Sequence, residues 1–429
     1  MSSRPAVVAD TVSRADPRRV QRRVLGTLTV TQVVGGSGVT IGISLSTLVA
    51  ARMSGSDAIG GLAQTSAVLG SGLLAIPAAR LAARRGRRPA LLLGYGTATL
   101  GAAVAALAVA LGWWPLLLGG LLLFGGGSTA GLAARYAATD LAAPDQRARA
   151  LSVVVWCTTI GAVAGPNLAA PADEVGVGLG LPAGAGPYLL SMSVFGLAAV
   201  GVVLGLRPDP LVVARSVAPE RSRPTGARRR GATWRVLGPR ARLALGAIVL
   251  CHTAMVGLMA MTPVHMGHGD ASLQVVGIVI SVHVAGMYAF SPVFGWLADR
   301  VGRVPVLSLG VALIVAAAAV AGTAQSHDAP QLGVGLTLLG LGWSAGLVSS
   351  STLLTESVPL RDRPTVQGLS DLLMNLGGAA GGLVAGVVVT AASYGVLALV
   401  MGVAALPLLV VSLLAALRPA VPGDRPVAE

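Results

Sequence analysis

Lysine is absent from this chain of 429 residues, and all 31 basic side chains are arginine. We read that as the codon bias of a GC-rich genome rather than a functional feature. Charge is scarce as well, at 11% of residues, against about 25% in a soluble domain. Two cysteines cannot staple a chain of this length, so an oxidised framework is excluded. Without lysine there is no Gly-Lys-Ser/Thr phosphate loop, and no pump-type phosphorylated aspartate motif occurs. An ATP-driven pump, a hydrolase and any other enzyme are therefore not expected, and no cofactor is implied. What is abundant is apolar: 54% of residues are hydrophobic, 58 are glycine and mean hydropathy is +0.77. This composition belongs to an all-α, multi-pass membrane protein.

A membrane helix needs about 20 mostly apolar residues. Twelve such windows occur, at 25–50, 58–80, 89–111, 115–138, 149–170, 184–206, 241–263, 271–297, 304–324, 331–355, 364–391 and 394–417. They fall into two six-helix bundles, 25–206 and 241–417. The rest comprises an N-terminal tail (1–24), a basic linker (207–240) and a C-terminal tail (418–429). No cleavable leader precedes the first window. With the N-terminus in the cytoplasm, Arg52 alone of the 31 arginines falls on the outer side. The positive-inside rule thus predicts a bacterial cytoplasmic membrane protein with both termini cytoplasmic. It also accounts for the net charge of +14 as topology, so nucleic acid is not expected as a partner. The lipid bilayer is, and the chain is expected to act as a monomer.

After the eighth window the chain reads Gly295-Trp-Leu-Ala-Asp299-Arg300-Val-Gly302-Arg303. The equivalent stretch after the second reads Ala79-Arg-Leu-Ala-Ala83-Arg84-Arg-Gly86-Arg87, without the first glycine and the aspartate. Six spans, a basic linker and six more, with this repeated loop, resemble the major facilitator superfamily, whose loop motif is Gly-x-x-x-Asp-Arg-x-Gly-Arg. The resemblance implies a secondary transporter that works by alternating access about a central site. Asp299, with Arg300 and Arg303, is expected to form a gate latch by pairing with an arginine or accepting from helix-end N–H groups. In the first copy that latch lacks its carboxylate, and Asp140 or Asp145 are the available substitutes. The fifth window holds Gly161-x-x-x-Gly165-Pro166-Asn167. It resembles a motif common in facilitator-family exchangers, although a close helix crossing with a proline bend explains it equally well.

Chemistry-bearing residues cluster in one place. Residues 252–287 hold nine of the fifteen His and Met, and Cys251 adjoins them. Met255/Met259 and His283/Met287 are i, i+4 pairs, each stacked on one helical face. The four descend over about 15 Å at 1.5 Å per residue, which suits a relay better than one compact site. His265, Met266 and His268, with Asp270, lie at the outer turn, where they are placed to collect an ion. Thioether with imidazole favours Cu(I) over the hard divalent cations. Met261 and His252 read individually as packing.

The pairs Met-x-x-x-Met and His-x-x-x-Met in the seventh and eighth helices are similar to those of the CcoA-type copper importers, a bacterial branch of the same superfamily. That resemblance implies copper as the transported substrate and Met255, Met259, His283 and Met287 as its ligands. The branch also includes riboflavin importers, so a small organic solute stands as the alternative cargo, as does proton-coupled drug efflux. Riboflavin calls for aromatic stacking partners, and the chain has only four Phe, five Tyr and six Trp. A sensor on a transporter fold is a third class, and no soluble regulatory domain supports it. For coupling, Asp371 lies about two turns inside the eleventh window, with Gln367 and Asn375 on its face. An ionisable residue there is a candidate for proton coupling, or else a helix-pairing polar group. The six helices of the first half offer no equivalent acid.

Overall fold

The computed structural model describes residues 16–217, 237–270 and 272–417. Most of the N-terminal tail, the middle of the basic linker and the tail at 418–429 lie outside them. Every regular element among the described residues is helical, and twelve segments are long and apolar enough to cross a membrane. We label them α1 (Pro17–Ser44, continued by Ser46–Ser54), α2 (Asp57–Arg85), α3 (Arg87–Leu111), α4 (Trp114–Phe124 and Gly126–Ala137), α5 (Arg147–Gly178) and α6 (Gly186–Gly205). The second series is α7 (Pro239–Gly267), α8 (Leu273–Tyr288 and Ser291–Val301), α9 (Arg303–Gly322), α10 (Ala329–Glu356), α11 (Arg363–Ala391) and α12 (Tyr394–Leu417). A short linker helix, Pro210–Val217, follows α6.

Several boundaries differ from the apolar windows for local reasons. α1 begins at Pro17, within the stretch read as tail, because Asp16 caps it by accepting from Arg18 N at 3.0 Å. α5 continues to Gly178, past two internal prolines, and Asp173 on its last turns accepts from Gly184 N at 2.6 Å. The prolines each remove one backbone bond, which bends rather than ends a helix supported on its flanks.

The chain forms two compact units. The first comprises Met1–Ala142, Cys157–Val236 and Val358–Asn375; the second comprises Ala143–Trp156, Leu237–Ser357 and Leu376–Glu429. The grouping therefore exchanges two segments relative to a six-plus-six division. The first turns of α5 pack with α8–α10, and the first turns of α11 pack with α2–α4.

Within each unit, glycine permits close helix crossings. A Cβ on Gly94 of α3 would lie 2.8 Å from Gly126 O of α4. In the second unit, a Cβ on Gly310 of α9 would lie 2.9 Å from Gly342 O of α10. The two pairs are separated by the same sequence interval as the two loop motifs, so the repeat extends into the packing. Close backbone approach of this kind supplies the dispersion that holds helices together in lipid.

Candidate functional site

The loop motifs turn on their glycines. Gly86 and Gly302 have φ of +97° and +112°, a region that disfavours side chains. Each ends one helix and starts the next without an intervening loop. In the second copy, the Asp299 carboxylate accepts from Ala148 N at 3.1 Å and Arg149 N at 2.9 Å, at the start of α5. Arg303 Nη2 lies 3.0 Å from Asp299 and donates to Glu356 at 2.9 Å and to Pro144 O at 2.6 Å. Arg300 is exposed and lies over the Trp296 ring, outside this cluster.

The first copy is held differently. Arg87 is buried and makes a two-pronged bond to Asp140, at 2.7 and 3.0 Å. Its Nη2 also donates to Gln367 Oε1 of α11 at 2.7 Å. Where the second copy has Asp299 the first has Ala83, and Gly368 of α11 comes against Ala79 instead. A further carboxylate arrives from the linker: Asp209 accepts from Arg88 N at 2.7 Å, and Arg215 donates to Ala83 O at 3.0 Å.

Asp371 sits beside this cluster, also in the first unit. Its carboxylate is 2.7 Å from Arg135 Nη2, and both side chains are buried. Tyr136 and Ser370 share a hydrogen bond at 3.2 Å one step away. A cavity of about 20 Å³, room for one water, lies among Arg87, Tyr136, Gln367 and Asp371. Arg135, one of the arginines that the positive-inside rule counts on the cytoplasmic side, is thus not a free loop charge. It lies inside α4, 2% exposed, because a buried carboxylate on α11 receives it.

In the second unit, the metal-ligand candidates occupy α7 and α8. Met255, His283 and Met287 are buried, and Met259 is half-buried. The two helices make few contacts with one another; both pack on α10. Cys251, one turn before Met255, faces Gly346 of α10, and α8 crosses α10 at Gly340, beside the backbone of His283 and Met287. His283 Nδ1 is 2.7 Å from Leu336 O. A carbonyl only accepts, so Nδ1 carries the proton and Nε2 keeps its lone pair. That Nε2 is buried with no hydrogen-bond partner among the described residues. A backbone carbonyl that orients imidazole in this tautomer is the usual outer support of a metal-binding histidine.

The outer turn does not gather its three candidates. His265 stacks on Tyr394, with centroids 4.5 Å apart, and its Nε2 is 3.2 Å from Ala324 O. Met266 is fully buried, and His268 is exposed. No group of three or more His, Cys, Asp or Glu placed to hold a metal occurs among the described residues.

His252 has more structure than packing requires. Trp343 Nε1 donates to its Nδ1 at 3.0 Å, and Tyr288 meets Trp343 edge-on at 5.5 Å. The buried indole therefore backs two half-buried rings. The sequence separates these three residues too widely for any periodicity to signal the cluster. In α5, Thr40 of α1 donates to Gly161 O at 2.7 Å, and a Cβ on Gly161 would lie 2.7 Å from Ser37 N. Its glycines thus serve a close helix crossing.

Comparison with known proteins places this geometry. The family model described as Major Facilitator Superfamily matches residues 27–271 and 245–429. An uncharacterized MFS-type transporter of Bacillus subtilis, YdeG, is 38% identical over 91% of each chain. The riboflavin transporter RfnT of Brucella anthropi is 32% identical over 82% of this chain and 85% of its own. Among solved structures, the human organic anion transporter MFSD10 superposes with a TM-score of 0.73 at 17% identity, covering 91% of this chain and 99% of that one. A bacterial homologue of the iron transporter ferroportin, in an outward-facing state, gives 0.73 at 13%, covering 92% and 100%. At these identities the structures show a shared fold, and that fold serves both organic and metal cargo.

Proposed function

Since this chain belongs to the Major Facilitator Superfamily and is a multi-pass secondary transporter, we propose that it carries a small organic solute with a flat heteroaromatic ring, riboflavin being the first to test. The His252–Trp343–Tyr288 cluster carries this reading. A ring seated on Tyr288 and His252 gains stacking area, and the Trp343 bond keeps the imidazole fixed. The likeness to a riboflavin transporter over most of the chain supports the same cargo. Uptake is into the cytoplasm across a bacterial plasma membrane, with both termini on the cytoplasmic side. Asp371 couples transport to protons. Protonation removes its charge, weakens its hold on Arg135 and frees the first turns of α11. Asp299 and Arg303 latch the start of α5 in the same cycle.

Copper is the second reading, and one observation favours it. The Nε2 lone pair of His283 is buried and unpartnered beside Met287, on a helix that packs with the Met255/Met259 helix against α10. Accumulation of radioactive riboflavin and, separately, radioactive copper in cells expressing the chain decides between them. On the first reading, riboflavin accumulates, Trp343→Ala lowers uptake about tenfold or more, and alanine at all four Met/His positions leaves copper content unchanged. Copper accumulation that the four-position variant abolishes, with no riboflavin uptake, makes the metal the cargo. Asp371→Asn is expected to abolish accumulation against a gradient while leaving downhill exchange. Retained uphill accumulation removes Asp371 from the coupling step.

A further inference from the structure

In the first unit, the amide of Gln32 spends only its nitrogen on helix packing. Gln32 lies in the middle of α1, and its side chain is 6% exposed. Its Nε2 donates to Thr158 Oγ1 of α5 at 3.1 Å. Its Oε1 is buried with no hydrogen-bond partner among the described residues. Glycine lets α4 come close to the amide: a Cβ on Gly131 of α4 would stand 3.1 Å from Nε2 and 3.4 Å from Oε1. An amide carbonyl at membrane depth without a donor is a standing cost that leucine would avoid. Arg135, the partner of Asp371, follows Gly131 by one turn on α4.

From this geometry we infer that Gln32 is a specificity-determining residue, whose Oε1 accepts a hydrogen bond from a neutral imide or amide N–H on the solute. Thr158 is its positioning residue, because holding Nε2 leaves Oε1 as the unbonded end of the amide. The inference rests on the organic-solute reading and concerns the first unit alone. A flavin meets the requirement through the imide N–H of its pyrimidine ring, which its ribityl chain leaves unencumbered. The same turn of α4 then carries both recognition and the arginine of the coupling pair. Solute binding at Gln32 is thereby placed to bias the Arg135–Asp371 contact.

The test is equilibrium binding to the purified full chain, using riboflavin, N3-methylriboflavin and uracil as a bare imide. The wild type is expected to bind riboflavin about tenfold more tightly than the N3-methyl compound, the worth of one neutral hydrogen bond. Gln32→Met is expected to bind both flavins equally, at the weaker level. Gln32→Glu keeps an acceptor oxygen and retains the preference. Thermal midpoints of both variants, read beside the binding curves, report whether they fold. If Gln32→Met does not fold, the Gln32→Glu and wild-type arms decide. An N3-methyl compound that binds the wild type as tightly as riboflavin, or a preference that survives Gln32→Met, overturns the inference and leaves the riboflavin reading intact. If the wild type binds neither flavin, the riboflavin reading falls. The uracil arm then decides: binding lost in Gln32→Met sustains the inference, and no binding overturns it.

Discussion

The two copies of the loop motif share a backbone and differ in what fastens them. Both turn on a glycine of positive φ, and both abut the first turns of a helix from the other half of the sequence. The second copy uses a carboxylate on two backbone N–H groups, with Arg303 beside it. The first copy buries a guanidinium between Asp140 and Gln367 and presses glycine against alanine. A motif can thus lose its named aspartate and keep its mechanical task, provided another carboxylate reaches the arginine that remains.

That contrast can be broken in graded ways. The largest effect is expected from Asp140→Ala, which strips the carboxylate from a buried guanidinium and costs about 3–5 kcal/mol. Asp299→Ala should cost less, about 1.5–3 kcal/mol, because Arg149 and its N–H lie at an exposed helix start that water can reach. Thermal unfolding in detergent ranks the two, and the reverse order would refute the contrast. Next come the glycines. Alanine at either is expected to cost about 1–2 kcal/mol from positive φ alone. Gly86→Ala should be the worse of the pair, since its Cβ would lie 2.5 Å from the Asp209 carboxylate while Gly302 meets only Pro305 at 3.5 Å. Equal losses would mean that Asp209 yields freely. Smallest is Arg300→Ala, about 0.5 kcal/mol from an exposed cation over Trp296. A large loss there would place Arg300 in the latch after all.

The twelve spans were legible because a bilayer imposes one length on every helix and tolerates few charges in it. The second loop motif was legible for a related reason, since its residues are contiguous. Arg135 gave no sign of its burial, because an arginine at a helix end marks topology whether or not a carboxylate has buried it, whereas Asp140, one of the two substitutes the sequence offered for the first copy, is the carboxylate that holds Arg87. Asp371 stood out as a charge in an apolar run, but its partner lies on another helix. The Met and His pairs showed their helical spacing. Their shared attachment to α10 did not show, because contact between distant segments leaves no local period. His252 and Gln32 had no signal beyond being polar, and only the positions of Trp343, Thr158 and Gly131 give them meaning.

The stitching of Asp209 to Arg88 and of Arg215 to Ala83 decides where this polypeptide tolerates scissors. A break placed before residue 209 takes away the anchor that seats the opening turn of α3. A break placed after residue 217 leaves that anchor with the piece that needs it. Two fragments divided at the later point should reassemble into a working carrier when produced together, whereas the earlier division should leave them strangers.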